Sequence, residues 1–203
     1  MKLKEKYNLY YKTRKIRDII FKPLMKIYVF FGITPDILSY LGIFMILGFV
    51  LTIKSNLSFA ILFLLLCLFL DGNDGVLARY TKSNSDKGKF KDMVCDHITF
   101  NIFIIGLVYA GFLGGIYALI FIFALTLSKT FRIIYNGLHI KSNWYFITTA
   151  GSVPFAIVVI SYIGFFIMIF SRFLYFNQLY TLFSIILFID ALYMYIKLVY
   201  KEK

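Results

Sequence analysis

Long apolar runs separated by short charged connections fill most of this chain, and the first segment is patterned differently from the rest. Between Tyr11 and Phe31, Ile16, Ile19, Ile20, Leu24, Ile27 and Phe31 recur at helical spacing, while Lys12, Lys15, Arg17, Asp18, Lys22 and Lys26 fall mostly elsewhere. That spacing predicts an amphipathic helix lying in the membrane interface. Pro23 is expected to kink it and Gly32 to close it, after which Thr34, Pro35 and Asp36 read as N-cap, N1 and N2 of the next helix. Six apolar runs follow, near 35–53, 57–80, 89–112, 114–137, 152–171 and 176–197. Each is close to the ~20 residues needed to cross the hydrocarbon. The connection between Phe112 and Tyr117 is little more than Gly114-Gly115, so consecutive helices are expected to run antiparallel. The predicted fold is all-α: an integral membrane bundle of six transmembrane helices behind an N-terminal interfacial helix. Residues 1–33 form a cytoplasmic N-terminal segment and residues 34–203 a single six-span domain.

Composition agrees. Of the 203 residues 61% are hydrophobic, and the mean hydropathy is +0.81, against roughly 45–50% apolar for a soluble domain. Cys67 and Cys95 each sit inside an apolar run and read as packing residues, not as a disulfide framework. The net charge of +12 could suit nucleic acid, but its placement points to lipid headgroups and excludes a nucleic-acid partner. All of the 22 Lys and Arg residues except Lys54 and Arg172 fall on one set of connections and the two termini. The positive-inside rule then puts both termini in the cytoplasm, with the chain in the cell membrane. Trp144 and the Tyr-rich span ends suit an aromatic belt.

The chemistry lies in the acids. Only ten acidic residues are present, and Asp71, Asp74, Asp92 and Asp96 fall within or at the ends of the second and third spans. A carboxylate at bilayer depth costs several kcal/mol unless paired or bound to a cation. Asp71, Asp74, Gly75 and Ala78 share one helix face by spacing, and Gly88, Asp92 and Asp96 share another. Facing stripes of four carboxylates near the cytoplasmic surface call for hard divalent cations, Mg²⁺ or Mn²⁺, which would also bind a pyrophosphate. Gly75, Ala78 and Gly88 are small enough to let a nucleotide approach the backbone.

The run Asp71-Gly72-Asn73-Asp74-Gly75-Val76-Leu77-Ala78-Arg79, followed at fixed intervals by Gly88, Asp92 and Asp96, resembles the signature of the CDP-alcohol phosphotransferases (class-I CDP-alcohol phosphatidyltransferases). The resemblance implies transfer of a phosphoalcohol, phosphatidyl or its archaeal ether-lipid equivalent, from a CDP-alcohol to a hydroxyl acceptor with release of CMP. It implies that Asp71, Asp74, Asp92 and Asp96 hold two metal ions and that Asp96 also serves as general base. It further implies CDP contacts by Gly75, Ala78, Arg79 and Gly88, with Thr81 and Ser85 as further candidates that also suit turn formation. A homodimer is implied as well. Three features depart from the commoner pattern: Lys89 and Lys91 flank the third acid, Asp36 follows Pro35 where Asn is frequent, and His97 follows the last Asp.

Lys129 and Arg132 on the fourth span need an anionic partner. One reading is a phosphate on the acceptor; the others are snorkelling to lipid headgroups or pairing with Asp190. Two competing functions are an acid-rich intramembrane prenyltransferase and a cation transporter. The first lacks a second acidic loop, since no acid occurs between Asp96 and Asp190. The second expects acids near the midplane on broken helices of both halves.

Overall fold

Helices alone make up the regular structure, and no strand occurs among the described residues of the computed structural model, which are 2–83, 85–139, 153–171 and 175–200. In chain order they are α1 (Lys2–Phe30), α2 (Pro35–Thr52), α3 (Leu57–Tyr80), α4 (Asp86–Tyr109), α5 (Gly115–His139), α6 (Val153–Ser171) and α7 (Phe176–Tyr200). Six of them, α2 to α7, contain stretches long and apolar enough to cross a membrane. Trp144, Lys141 and Arg172 lie outside the described residues.

The helix ends follow from local chemistry. Thr34 is the N-cap of α2, its Oγ1 accepting from the Ile37 N–H at 3.4 Å, with Pro35 and Asp36 in the first turn. Asn56 caps α3 by accepting from Phe59 N–H at 3.1 Å. Three C-termini close by one device. Gly32 follows α1 at φ 69°, with Ile33 N–H donating to Tyr28 O and Gly32 N–H to Val29 O. Gly111 follows α4 at φ 80°, with Phe112 N–H donating to Leu107 O and Gly111 N–H to Val108 O. These are Schellman closures, in which a left-handed residue lets the chain satisfy the last carbonyls. The same pair of bonds ends α3, Ser83 to Ala78 and Lys82 to Arg79, but the left-handed position there is Lys82 at φ 56°.

Against the sequence expectations, α4 starts three residues earlier and ends three earlier than the apolar run. Hydropathy continues through Phe112 and Leu113, but Gly111 has already turned the chain. Helix α1 is longer than the amphipathic stretch, beginning at Lys2 and containing Pro23 within it.

By packing, the chain divides into two units, Met1–Thr99 and Phe100–Lys203, the division falling within α4. In the first, α3 packs along α2 and also against α1. Met25, Leu38, Val76 and Leu77 form a buried cluster flanked by Phe21, Leu24, Tyr28, Ile33 and Leu70. The face that α1 turns to α3 is therefore Phe21, Leu24, Met25 and Tyr28, at i, i+3, i+4 and i+7. Ile16, Ile19, Ile20 and Ile27 remain exposed.

In the second unit α5 packs along α7, with α6 against both. An aromatic core joins Phe103, Tyr162 and Phe165, through Phe100, to Phe121 and Tyr180. Gly114 N–H donates to Asn177 Oδ1 at 2.8 Å, tying the tight connection before α5 to the start of α7.

Candidate active site

The last three turns of α3 and the first three of α4 bring acids together in the first unit. One carboxylate oxygen each from Asp71, Asp74 and Asp92 lies within 4.8 Å of the other two. Asp74 is buried, Asp92 half-buried and Asp71 exposed. At such separations two bare carboxylates repel by about 1 kcal/mol in water and several times that near a protein surface. Burial of Asp74 adds a desolvation cost that requires partners. Ser39 Oγ on α2 donates to Oδ2 at 2.8 Å, and the N–H of Gly75 donates to Oδ1. The donor set fits a hard divalent cation, being all carboxylate oxygen.

Asp96 stands one turn beyond Asp92 on α4 and lies outside that trio. It shares a small pocket with Asp71, lined also by Ser39, Gly42, Cys67, Cys95 and Thr99. Cys67 falls four residues before Asp71, and Cys95 and Thr99 fall beside Asp96, so the helical stripe that carries the acids also carries these small groups. Both cysteines are buried and unbridged.

Residues 32–198 match the CDP-alcohol phosphatidyltransferase family. The chain belongs to that family. No curated protein and no solved structure matches it. Membership makes the chain a membrane-bound transferase of phosphate-containing groups, acting on a CDP-alcohol donor and an alcohol acceptor in a lipid bilayer. It also implies dependence on a divalent metal, and the oxygens of Asp71, Asp74 and Asp92 lie close enough together to share one ion.

The remaining candidate residues fall in different settings. Ala78 and Gly75 lie half-buried on the last turns of α3. Arg79, one turn from the trio, forms a forked ion pair with Asp18 of α1: Nε donates to Oδ1 at 3.1 Å and to Oδ2 at 3.0 Å, and Nη2 donates to Oδ1. Gly88 sits in the first turn of α4, where its N–H donates to Ser85 Oγ at 3.0 Å. Ser85 is thus the helix cap. Thr81 Oγ1 donates to Leu77 O at 2.9 Å and lies 2.8 Å from Ser83 Oγ. Two of the departures from the commoner signature answer each other: Lys91 Nζ donates to the Asp36 carboxylate.

Lys129 and Arg132 belong to the second unit. Arg132 Nη2 donates to Asp190 Oδ1, and Ser128 Oγ donates to Asp190 Oδ2. The pairing with Asp190 is the alternative that the spacing left open.

Sequence reasoning missed Asp18, Ser39, Gly42 and Thr99 and gave the cysteines a packing role alone. A polar Ser in an apolar helix was the available signal for Ser39. Nothing at the level of spacing marks Gly42.

Proposed function

We propose that this chain is a phospholipid-biosynthetic transferase that moves a phosphoalcohol, phosphatidyl or an archaeal ether-lipid equivalent, from a CDP-activated lipid to a hydroxyl acceptor and releases CMP. The observation that carries the reading is the convergence of Asp71, Asp74 and Asp92 oxygens within 4.8 Å beside a pocket that Asp96 lines. Two Mg²⁺ or Mn²⁺ ions held by Asp71, Asp74, Asp92 and Asp96 would neutralise the diphosphate and stabilise CMP as leaving group.

The chain's own groups do the rest. Gly75, Ala78 and Gly88 admit the cytidine diphosphate to the helix surfaces, and Arg79 offers its guanidinium to that anion. Thr81 and Ser85 border this region as secondary contacts. An Asp96 carboxylate oxygen takes the proton of the acceptor hydroxyl as its oxygen bonds the phosphorus distal to cytidine and the bond to CMP breaks. Ser39 holds Asp74 in place during this step. Lys129 and Arg132 are the candidate contacts for a phosphorylated acceptor.

The same reading places α1 in the cytoplasmic interface of the cell membrane, its exposed isoleucines toward lipid and Lys15, Arg17, Lys22 and Lys26 toward headgroups. Residues 34–203 then form one catalytic domain with both termini and the site facing the cytoplasm, in a homodimer. The experiment is to incubate purified protein with a CDP-lipid, a divalent metal and a panel of acceptors (serine, inositol phosphate, glycerol phosphate, diradylglycerol) and measure CMP. Metal-dependent CMP release with one acceptor supports the reading; none with any acceptor or donor type sinks it.

A further inference from the structure

Arg79 closes the acidic signature on α3, yet its strongest contact lies 61 residues upstream on α1. Asp18 takes the guanidinium by its Nε/Nη2 edge through three hydrogen bonds. Both side chains are largely sheltered, 17% and 34% exposed. The register is enforced by packing: Asp18, Phe21, Met25 and Tyr28 recur at i, i+3, i+7 and i+10, so the face of α1 that buries Met25 against Val76 and Leu77 presents Asp18 to Arg79. The opposite side of the guanidinium turns toward the signature, with Nη1 3.4 Å from where a Cβ on Gly75 would stand. One edge of Arg79 is thus held from outside the signature while Nη1 lies along the glycine that leaves room for a ligand.

We propose that Asp18 is a positioning residue of the donor site: the N-terminal helix, through Asp18, fixes the guanidinium of Arg79 with its Nη1 side presented to the diphosphate of the CDP donor. The proposal rests on the reading that Arg79 contacts the donor. An unheld arginine at a helix end samples many rotamers and loses that freedom when it binds an anion. Holding it beforehand by a forked carboxylate pair removes that loss and sets the plane of the fork. The N-terminal helix thereby contributes to catalysis as well as to membrane attachment, although the family match begins only at residue 32.

The test is full-length protein in liposomes, with the apparent KM for CDP-lipid and for acceptor measured separately in Asp18→Asn, Asp18→Glu and Arg79→Lys. Asp18→Asn should raise the donor KM about tenfold, the loss typical of one charge-assisted partner, with acceptor KM and kcat nearly unchanged. Asp18→Glu should recover most of it, since it restores the carboxylate. Arg79→Lys should raise the donor KM, because a lysine has no fork. If Arg79→Lys leaves the donor KM unchanged, the donor role of Arg79 itself fails and the proposal falls with it. If Arg79→Lys impairs the donor while Asp18→Asn does not, only the proposal is overturned. A lower donor KM in Asp18→Asn would mean that the carboxylate competes with the donor, and equal losses in all three parameters that Glu cannot rescue would mark the pair as a mere staple. Either result overturns it.

Discussion

Ser39 on α2 donates a 2.8 Å hydrogen bond to Oδ2 of Asp74 on α3, so the most buried carboxylate of the trio is oriented by a residue 35 positions upstream of it. A hydroxyl that fixes a metal-ligating carboxylate tunes affinity without touching the ion. Loss of such a partner typically weakens metal binding or activity 10–100-fold.

The first prediction follows from that bond. Ser39→Ala should shift the activating midpoint of a Mg²⁺ or Mn²⁺ titration of CMP release upward by about tenfold or more, while activity at saturating metal recovers substantially. An unshifted midpoint would show that Ser39 has no part in setting the carboxylate.

A second prediction concerns the trio itself. Asp71→Ala or Asp92→Ala removes one of three oxygen donors that lie within 4.8 Å of one another. Turnover should fall to background and donor binding should weaken. Folding should survive, because the change also relieves like-charge repulsion. Near wild-type CMP release by either variant, in the presence of chelator, would be incompatible with a shared cation site.

How much of this was legible beforehand depends on which force sets each feature. The bounds of α3, residues 57–80, follow directly from its apolar run. Those of α4 do not, because the Ser85 cap and the left-handed Gly111 define it while hydropathy runs on through Leu113. On α1 both the exposed isoleucines and the packing face of Phe21, Leu24, Met25 and Tyr28 recur at helical spacing. Periodicity alone could not say which stripe meets protein; that is decided by the partner, α3. For the same reason the four acids were visible as costly charges in apolar spans, whereas Ser39 and Asp18 were not. Their roles exist only once α2 and α1 lie against α3.

The third prediction addresses the second unit. The side chains of Arg132 and Asp190 are 18% and 7% exposed, so removing one partner strands a buried charge, at a cost of about 3–5 kcal/mol. Arg132→Ala and Asp190→Leu should each lower the melting temperature in detergent, and the double variant Arg132→Met with Asp190→Leu should recover most of the loss. If the double variant is stable yet shows a raised KM for a phosphorylated acceptor, Arg132 serves that acceptor as well. An unchanged KM would confine it to the scaffold.

Lys82 supplies a fourth. Its φ of 56° places a side chain where the Schellman closure of α3 favours glycine, a strain of roughly 1–2 kcal/mol for an L residue. Lys82→Gly should therefore raise the melting temperature slightly, the gain trimmed by glycine's greater unfolded-state freedom. Lys82→Val should lower it, since a branched side chain fits the left-handed region worst. A fall with glycine would show that Lys82 makes a stabilising contact that outweighs its backbone strain.

The last prediction separates base from ligand at Asp96. This residue lies one turn past Asp92 and outside the close trio, but lines a pocket with Asp71, Ser39 and Thr99. A group so placed can face an acceptor hydroxyl with one oxygen while the other shares in holding the metal. Asp96→Asn keeps the side-chain size and one oxygen but abolishes proton acceptance. Donor affinity and the metal midpoint should thus persist while turnover falls by about 10²–10⁴, the range for loss of a general base. The loss should sit in the chemical step, visible in a single-turnover measurement with enzyme in excess over CDP-lipid. A variant that loses donor affinity and turnover together would make Asp96 chiefly a metal ligand, because an intact base role requires the donor to bind normally. One that keeps both would remove Asp96 from the machinery altogether and return the proton to one of the trio or to solvent.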